Sequence, residues 1–469
     1  MNLPFLDRRG GQIALIDAHS GKRLSYDELH ELVTSRSVAL GISGGVAVIL
    51  CRNSVETIID YLSALTAGLA VIPLDAEIDS AKLAHILGEY SPEWVLGTTS
   101  ENRYEGFTQV EVGRLESNRR GALSPICGDL AILLSTSGST GSPKMVRLTA
   151  DNIGANTLSI SSSLRLTEED RAITTMPLHY SYGLSVLNTH LSVGASIVVS
   201  NASVVDKEFW AAIKDYSVTS FAGVPYTFAM LKRLGYSPAD TPTVTKVTQA
   251  GGKLDSDSIA HFNALFQSNG IQFFIMYGQT EAGPRISCLP PERLDEKLGS
   301  AGVVMSGGQI HIGKVGSRGA VDDTGEIIYV GPNVMLGYAS SRADLTCDDV
   351  NRGVLHTGDI GYLDDEGFLF ITGRLKRIAK LFGSRVSLDE VETLLSSLGP
   401  VAAVGGDDKL YVHHQCTDLE RVAVSRKDVS LKLRVPLASV HMHFEADFPV
   451  LPNGKVDYRT LSETHSPKE

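Results

Sequence analysis

Residues 46–73 read VAVILCRNSVETIIDYLSALTAGLAVIP, and this stretch indicates the fold class. Val46–Cys51 is a short apolar run of the kind found in buried strands. Ser54–Thr66 has apolar residues at helical spacing, and Ser54 suits the helix N-cap because its hydroxyl accepts a backbone N–H. A strand, a helix and a strand are predicted to follow, over Ala70–Pro73, Ser80–Glu89 and Trp94–Gly97. Strands that alternate with helices form parallel sheets, so we expect an α/β fold.

The same alternation returns later in the chain. A strand over Ser217–Ala222 precedes a helix near Tyr226–Leu234. Two further strands, Lys246–Ala250 and Gln272–Met276, end at Gly251-Gly252 and at Tyr277-Gly278. Ligands of open α/β sheets bind at the carboxyl ends of strands, so these two turns are candidate ligand sites.

The composition changes along the chain and predicts two domains. Short strands and glycine-rich turns follow Gly299, and a compact α+β pattern begins at Lys376. We therefore expect a large N-terminal domain over residues 1–375 and a small, mobile α+β domain over residues 376–469. The large domain would combine parallel-rich sheets and helices with a small β-subdomain.

Charge and composition exclude several classes of function. The 42 basic and 54 acidic residues give a net charge of −12, which argues against general binding to nucleic acid or anionic membranes. No apolar run approaches the roughly 20 residues of a membrane span, and the N-terminus is too polar for a signal peptide. The five scattered cysteines lack metal-ligand spacing. We expect a cytoplasmic protein with reduced thiols and no membrane span.

A run of small hydroxylated residues and glycines follows the apolar pair Leu133-Leu134. Such residues let backbone N–H groups approach a polyphosphate closely, and a lysine adds a cation. The run is not a Walker A loop, because Pro143 stands where the second glycine belongs and Met145 follows the lysine. A surface loop rich in serine and glycine is the alternative. The candidate phosphate-binding residues are Ser135, Thr136, Ser137, Gly138, Ser139, Thr140, Gly141 and Lys144.

This run resembles the phosphate-binding loop of the adenylate-forming superfamily, which includes acyl-CoA synthetases, adenylation domains of non-ribosomal peptide synthesis and beetle luciferase. The segment Tyr277-Gly278-Gln279-Thr280-Glu281 resembles that superfamily's adenine and metal motif. The resemblance implies that Tyr277 stacks on adenine, Thr280 contacts the α-phosphate and Glu281 holds Mg²⁺. The alternative is a turn before a capped helix. Gly251 and Gly252 resemble the glycine segment beside the adenine and the acyl pocket.

Three C-terminal features match the superfamily in order. Thr357-Gly358-Asp359 resembles its ribose motif, which implies that Asp359 binds the ribose hydroxyls and that Arg374 contacts ribose or phosphate. Lys376 stands at the hinge position. Leu451–Asp457 resembles the C-terminal motif, in which Lys455 would bridge the substrate carboxylate and the α-phosphate. Taken singly, these residues also suit exposed charges or a hairpin turn.

The segment Met176–Leu184 resembles the one that opens the acyl pocket. Amino-acid-activating relatives place an aspartate here, whereas this chain has neutral and aromatic residues. Because a buried ammonium without a carboxylate is costly, we expect an acid that lacks an α-amino group. His179 is a candidate catalytic residue, or alternatively a core histidine bonded to the backbone. The candidate pocket residues are Tyr180, Tyr182, Gly183, Gly223 and Val224.

The predicted activity is ATP- and Mg²⁺-dependent formation of an acyl-adenylate, release of pyrophosphate, and transfer of the acyl group to a thiol. CoA is the first expectation for that thiol, and Gly383 and Lys380 would line its channel after rotation about Lys376. A separate carrier protein or an amine is an alternative acceptor, and Leu381-Phe382 departs from the polar turn of many relatives. The non-enzymatic alternative is a nucleotide-binding regulatory protein on the same scaffold.

Overall fold

The structure is a computed structural model that describes residues 3–6, 8–41, 44–98, 104–118, 126–135, 144–313, 324–381, 384–406, 408–433, 435–450 and 456–465. These residues form two compact units. The first unit comprises Met1–Gln309 and Tyr329–Leu355, and the second comprises Ile310–Ile328 and His356–Glu469. The domain boundary expected at Lys376 stays a prediction.

The first unit alternates strands and helices along most of its length. Its elements, in chain order, are β1 (Ile13–Asp17), β2 (Arg23–Ser25), α1 (Tyr26–Leu40), β3 (Val46–Cys51), α2 (Val55–Thr66), β4 (Ala70–Asp75), α3 (Ser80–Tyr90), β5 (Trp94–Leu96), β6 (Phe107–Glu111), β7 (Arg114–Ser117), β8 (Leu130–Ser135), β9 (Met145–Thr149), α4 (Ala150–Ser163), β10 (Arg171–Ile173), α5 (Ser181–Val193), β11 (Ser196–Val199), α6 (Lys207–Asp215), β12 (Ser220–Gly223), α7 (Pro225–Leu234), β13 (Lys246–Gln249), α8 (Ser256–Gln267), β14 (Gln272–Tyr277), β15 (Ser287–Leu289) and β16 (Val303–Val304).

The remaining elements are mostly in the second unit. They are β17 (Gln309–Gly313), β18 (Gly325–Val330), β19 (Gly337–Ala339, in the first unit), β20 (Val354–Leu363), β21 (Leu369–Arg374), β22 (Ile378–Leu381), β23 (Ser384–Ser387), α9 (Leu388–Leu394), β24 (Val401–Gly406), β25 (Lys409–His414), α10 (Leu419–Leu433), β26 (Val440–Phe444) and α11 (Tyr458–Glu463).

Two large sheets form the first unit. One has the strand order β16-β15-β14-β13-β12-β10-β11-β1-β2, and the other has the order β19-β9-β8-β4-β3-β5-β7-β6. In the first sheet, β11, β10, β12, β13 and β14 are parallel to their neighbours in that series. The carboxyl ends of these strands therefore meet at one sheet edge, which is where ligands bind in open α/β sheets.

Local sequence explains why these elements form. All six residues of β3 are buried, as a parallel strand covered on both faces requires. The hydroxyl of Ser54 accepts the backbone N–H of Thr57 and caps α2, as predicted. The predicted strands and helices of both βαβ regions are present, with ends that differ by up to three residues. The α/β fold class is confirmed.

The second unit consists of small sheets and short helices. Its sheets have the orders β17-β18-β20-β21, β22-β23 and β24-β25-β26. Leu381 is fully buried in a core that includes Val391, Val412 and Val440. The apolar residue at position 381 therefore serves the packing of this unit.

The expectation of reduced thiols is wrong for two cysteines. Cys127 and Cys347 form a disulfide, with their Cα atoms 4.8 Å apart and a sequence separation of 220. Spacing along the chain carries no sign of this pair, because folding alone brings the two segments together. Cys51, Cys288 and Cys416 are free.

No helix within the described ranges is long and apolar enough to cross a membrane.

Candidate active site

The candidate site of the first unit lies where β10, β12, β13 and β14 end. The chain leaves β12 at Gly223-Val224, β13 at Ala250-Gly251 and β14 at Tyr277-Gly278. The loop after β10 leads to Tyr180 at the start of α5. These strands are parallel neighbours, so the sheet brings together four segments that are far apart in the sequence.

Gly278 shapes the turn that follows β14. A Cβ atom at this position would lie 2.1 Å from the carbonyl oxygen of Pro284 and 2.7 Å from the Cα of Arg285. Glycine is needed here because the returning chain passes this close. The turn leads into the 3₁₀ turn Thr280–Ala282, which is shorter than the capped helix that was the alternative interpretation.

Thr280 and Glu281 are held from two sides. The hydroxyl oxygens of Thr280 and Ser181 lie 3.3 Å apart, which ties the turn to the start of α5. The hydroxyl of Tyr338 donates a 2.8 Å hydrogen bond to Oε1 of Glu281. The carbonyl oxygen of Glu281 also accepts the N–H of Met335. The carboxylate is therefore oriented before any ligand binds, and its oxygen atoms are of the type that Mg²⁺ prefers.

The predicted acyl-pocket residues are brought together. A Cβ atom on Gly251 would lie 3.0 Å from the Tyr180 hydroxyl and 3.0 Å from a Val224 methyl group, so these residues share one small space. Gly251 has a φ of +78°, a conformation that favours glycine. The rings of Tyr180 and Tyr182 lie edge to face, with centroids 6.5 Å apart.

Three further glycines of these segments lie in close contact with neighbouring groups: Gly183, Gly223 and Gly252. A Cβ atom on Gly183 would lie 2.2 Å from the carbonyl oxygen of Pro177, and one on Gly223 would lie 2.8 Å from the ring of Phe228. The carbonyl oxygen of Gly252 accepts the side-chain amide of Gln249 at 2.8 Å. These glycines allow close packing around the pocket.

Tyr182 is fully buried, and both its hydroxyl and its ring have polar neighbours. Its hydroxyl lies 2.8 Å from the Thr248 hydroxyl, and its ring lies beneath the guanidinium of Arg285 at 4.0 Å. Burial raises the pKa of Tyr182, with Arg285 acting in the opposite direction. Burial likewise raises the pKa of Tyr180. Both tyrosines are therefore neutral hydrogen-bonding groups at physiological pH.

His179 is half-buried near the carboxyl end of the second large sheet. Burial lowers its pKa, and the nearby carboxylate of Asp75 partly opposes this shift. Its neighbour Leu178 donates its N–H to the side chain of Asn53 at 3.2 Å. The imidazole is therefore neutral at pH 7, in which state it can accept a proton. Its catalytic role stays a prediction.

The ends of the predicted phosphate loop belong to one strand pair. Ser135 ends β8 and pairs with Met145, the first residue of β9. Lys144 is exposed beside that pair. The other predicted phosphate-binding residues lie outside the described part of the chain: Thr136, Ser137, Gly138, Ser139, Thr140 and Gly141.

The second unit carries the predicted ribose residues. Asp359 on β20 pairs in register with Arg374 on β21, and Nε of Arg374 lies 2.8 Å from Oδ1 of Asp359. The hydroxyl of Thr357 also accepts the N–H of Asp359. Asp359 is buried whereas the Arg374 side chain is exposed, so this ion pair presents a cation to solvent.

Lys376 lies in the 3₁₀ turn Leu375–Arg377, and its role as a hinge stays a prediction. Lys455 and Gly383 lie outside the described residues, as does the side chain of Lys380. The segment after Lys455 is anchored within the second unit. The guanidinium of Arg377 lies 3.7 Å from the ring centroid of Tyr458, and the Tyr458 hydroxyl contacts Glu392 at 3.2 Å.

Two residues of this site were missed by sequence reasoning. Tyr338 follows the metal motif by 57 residues, and nothing near it in sequence connects it to Glu281. Arg285 is a charged residue in the otherwise apolar and neutral segment that enters β15, and that contrast was the available signal.

The chain is similar in sequence to known enzymes. The model of the AMP-binding enzyme family matches residues 5–339. The 2-succinylbenzoate–CoA ligase of Bacillus licheniformis is 30% identical over 383 residues, covering 79% of this chain and 78% of that enzyme. The oxalate–CoA ligase of Arabidopsis thaliana is 25% identical over 502 residues, covering 98% of this chain and 96% of that enzyme.

A solved structure also matches along almost the whole chain. O-succinylbenzoate coenzyme A synthetase from Bacillus subtilis, in complex with ATP and magnesium ion, gives a TM-score of 0.79 at 25% identity and covers 96% of both chains. The chain belongs to the AMP-binding enzyme family. The resemblance to the adenylate-forming superfamily is confirmed, as is its acyl-CoA-ligase type.

Proposed function

We propose that this protein activates a carboxylic acid with ATP, releases pyrophosphate and transfers the acyl group from AMP to the thiol of CoA. The observation that carries the proposal is the meeting of the Thr280–Glu281 turn with the acyl-pocket residues Tyr180 and Gly251 at one sheet edge. The similar 2-succinylbenzoate and oxalate enzymes are both CoA ligases, which supports CoA as the acceptor. Use of ATP and CoA agrees with a cytoplasmic location, which stays a prediction.

The proposed chemistry has two steps. A carboxylate oxygen of the acid attacks the α-phosphorus, and the bond to pyrophosphate breaks. The Thr280 hydroxyl would donate to an α-phosphate oxygen, and Lys455 would stabilise the charge that shifts during attack. The CoA thiolate then attacks the acyl carbonyl carbon, and AMP leaves.

Glu281 is the residue that would hold Mg²⁺, and its orientation by Tyr338 supports this role. When bound, the ion neutralises phosphate charge. The Asp359 carboxylate would accept hydrogen bonds from the ribose hydroxyls, and Tyr277 would stack on adenine.

The pocket supports an acid without an α-amino group. Among the described residues, the charged group that acts on Tyr180 and lies over the Tyr182 ring is the guanidinium of Arg285, a cation. An ammonium would be repelled by that arginine and would lack a partner. Amino acids are therefore expected to be poor substrates.

Pyrophosphate exchange with a panel of carboxylic acids tests the first step. The expected result is acid-dependent exchange of labelled pyrophosphate into ATP, with no exchange for α-amino acids. A protein that binds ATP but shows no exchange with any acid would support the regulatory alternative instead.

The acceptor is tested by adding CoA, carrier proteins or amines with the best acid. Formation of an acyl-CoA is the expected result. If product forms only with a carrier protein or an amine, that molecule is the acceptor instead of CoA. The proposed adenylation step would not be affected by this result.

Lys455→Ala tests the proposed charge stabilisation. We expect loss of acid-dependent exchange by roughly 100-fold or more, as for removal of other groups that act on developing charge. Lys427→Ala is the matched control, because Lys427 is exposed on α10 and the change removes the same charge. Equal rates of pyrophosphate exchange in the two variants would contradict the proposed role of Lys455 in charge stabilisation.

A further inference from the structure

Arg285 is buried in the first unit beside the acyl pocket, with only 4% of its surface exposed. It precedes β15 and packs against the turn at Gly278. Its guanidinium lies over the ring of Tyr182. Burial lowers the pKa of Arg285, and the groups that oppose the shift are the two pocket tyrosines and Cys288.

The guanidinium of Arg285 interacts with the Tyr182 side chain, but at least one of its donor atoms is unsatisfied. Nη1 donates to the carbonyl oxygen of Pro284 at 3.3 Å, and Nε has no partner among the described residues. No carboxylate of the described chain forms an ion pair with this arginine.

Three other arginines of the same unit, two half-buried and one buried, have stronger partners. Arg36 binds Asp60 at 2.7 Å, and Arg342 binds Glu93 at 2.6 Å. Arg147 donates to four backbone carbonyl oxygens. A buried charge needs either a counter-ion or several hydrogen-bond acceptors, and Arg285 differs from these arginines because it has neither among the described residues.

The position of Arg285 suits the inner end of the acyl pocket. The Tyr180 hydroxyl reaches Gly251 at the sheet edge, whereas the Tyr182 hydroxyl reaches Thr248, which lies within β13. The guanidinium stacks on the inner of these two rings. The backbone of Arg285 lies against Gly278, and its side chain extends to the Tyr182 ring. With the reacting carboxylate placed at the edge with Thr280, the guanidinium would meet the other end of the acid.

We propose that Arg285 binds a second carboxylate of the substrate, so that the preferred acids are dicarboxylates. This inference rests on the proposed function, since it assigns the distal group of the acid that is adenylated. The second carboxylate would accept hydrogen bonds from the unsatisfied N–H groups of the guanidinium. Stacking on the Tyr182 ring would keep the planar guanidinium in the orientation that such a pair requires. A monocarboxylate of equal length would leave the buried cation unpaired.

The unmodified protein provides the first test. Pyrophosphate exchange is measured with α,ω-dicarboxylates of increasing length and with the monocarboxylate of matching length for each. We expect a preference of at least roughly 100-fold in kcat/KM for one or more dicarboxylates, because a site built for a polar group rejects an analogue without it. Equal or better use of the monocarboxylates would overturn the inference while leaving the adenylation activity established. No exchange with either series would overturn both.

Arg285→Gln tests the residue. The preference ratio should fall close to one in this variant, chiefly through a rise in KM for the dicarboxylate, and Arg285→Lys should keep part of it. Arg165→Gln is the matched control, because Arg165 is exposed and the change removes the same charge. A ratio in Arg285→Gln equal to that of the control would exclude Arg285 as the binding group. Thermal melts of all variants accompany the kinetics, and the result with unmodified protein does not depend on them.

Discussion

The hydroxyl of Tyr338 lies 2.8 Å from Oε1 of Glu281, although the two residues are 57 positions apart in sequence. Burial raises the pKa of Tyr338, as does the adjacent carboxylate, so the phenol keeps its proton and remains a donor. One oxygen of Glu281 is thereby engaged, which fixes the direction in which the carboxylate presents its remaining lone pairs.

Tyr338→Phe should weaken the site for Mg²⁺. The change removes the donor that orients Glu281 while keeping the ring. Loss of such a supporting hydrogen bond typically costs about 10-fold or more in metal affinity. The Mg²⁺ concentration for half-maximal pyrophosphate exchange should rise accordingly. Tyr226→Phe, on the exposed face of α7, is the control, and identical Mg²⁺ curves for both variants would contradict the proposed role.

Gly278→Ala should destabilise the first unit. The added methyl group would lie 2.1 Å from a backbone carbonyl oxygen, and the backbone has to move to relieve this clash. We expect a loss of about 2 kcal/mol or more in the free energy of unfolding, measured with urea.

Gly88→Ala is the control for that measurement. Gly88 lies in α3, and a Cβ atom there meets nothing within 4 Å. Alanine should stabilise the helix by about 0.5–1 kcal/mol. Destabilisation by both changes to the same extent would show that the close approach at Gly278 is unimportant.

Cys347→Ser should lower the melting temperature under non-reducing conditions. The Cys127–Cys347 bond closes a segment of 220 residues, and the chain-entropy model assigns about 5 kcal/mol to such a loop. The observed loss should be smaller, because the unfolded chain keeps some residual structure and is more compact than that model assumes. Cys416→Ser is the control, and a melting temperature equal to that control would argue that the bond contributes nothing.

Lowering the pH should decrease the stability of residues 456–465 in the second unit. Burial lowers the pKa of His443 and of His465, and the mutual proximity of these rings with His413 and His441 adds to the shift, while Glu445 opposes it. The unfolded segment therefore binds more protons as pH falls. The stability is complete above about pH 6.5, the ordinary histidine value, and decreases below it.

Hydrogen exchange at pH 7.5 and pH 5.5 measures this effect. After correction for intrinsic exchange, residues 456–465 should lose protection at the lower pH. The α10 helix of the same unit serves as the internal reference. Parallel loss of protection in both segments would indicate general acid destabilisation rather than an effect of the histidines.

Much of the fold could be predicted because its signals are local. Val46–Cys51 is a strand with the bounds expected from its apolar run, and α2 begins after Ser54 as its cap indicates. The predicted strands before Gly251 and Tyr277 are parallel neighbours, so these residues lie at one sheet edge as expected. Their role in ligand binding stays a prediction.

The features that escaped prediction depend on contacts distant in sequence. The Tyr338–Glu281 bond and the Cys127–Cys347 pair have no local pattern. The burial of Arg285 also cannot be predicted from the sequence. Only the folded structure shows that no carboxylate of the described chain forms an ion pair with this arginine. The roles of the phosphate loop and of Lys455 rest on the family resemblance.

The chain passes between the two units more than once, and this limits how the units can be exchanged by recombination or engineering. The chain passes from one unit to the other after Gln309, Ile328 and Leu355. The second unit is thus encoded in two separate stretches, and a single recombination breakpoint cannot transfer it whole. A junction at 375/376 would separate β21 from Ser387, the N-cap of α9, whose hydroxyl lies close to Gly373. Chimaeras of this protein with its relatives should therefore exchange residues 310–328 and 356–469 together.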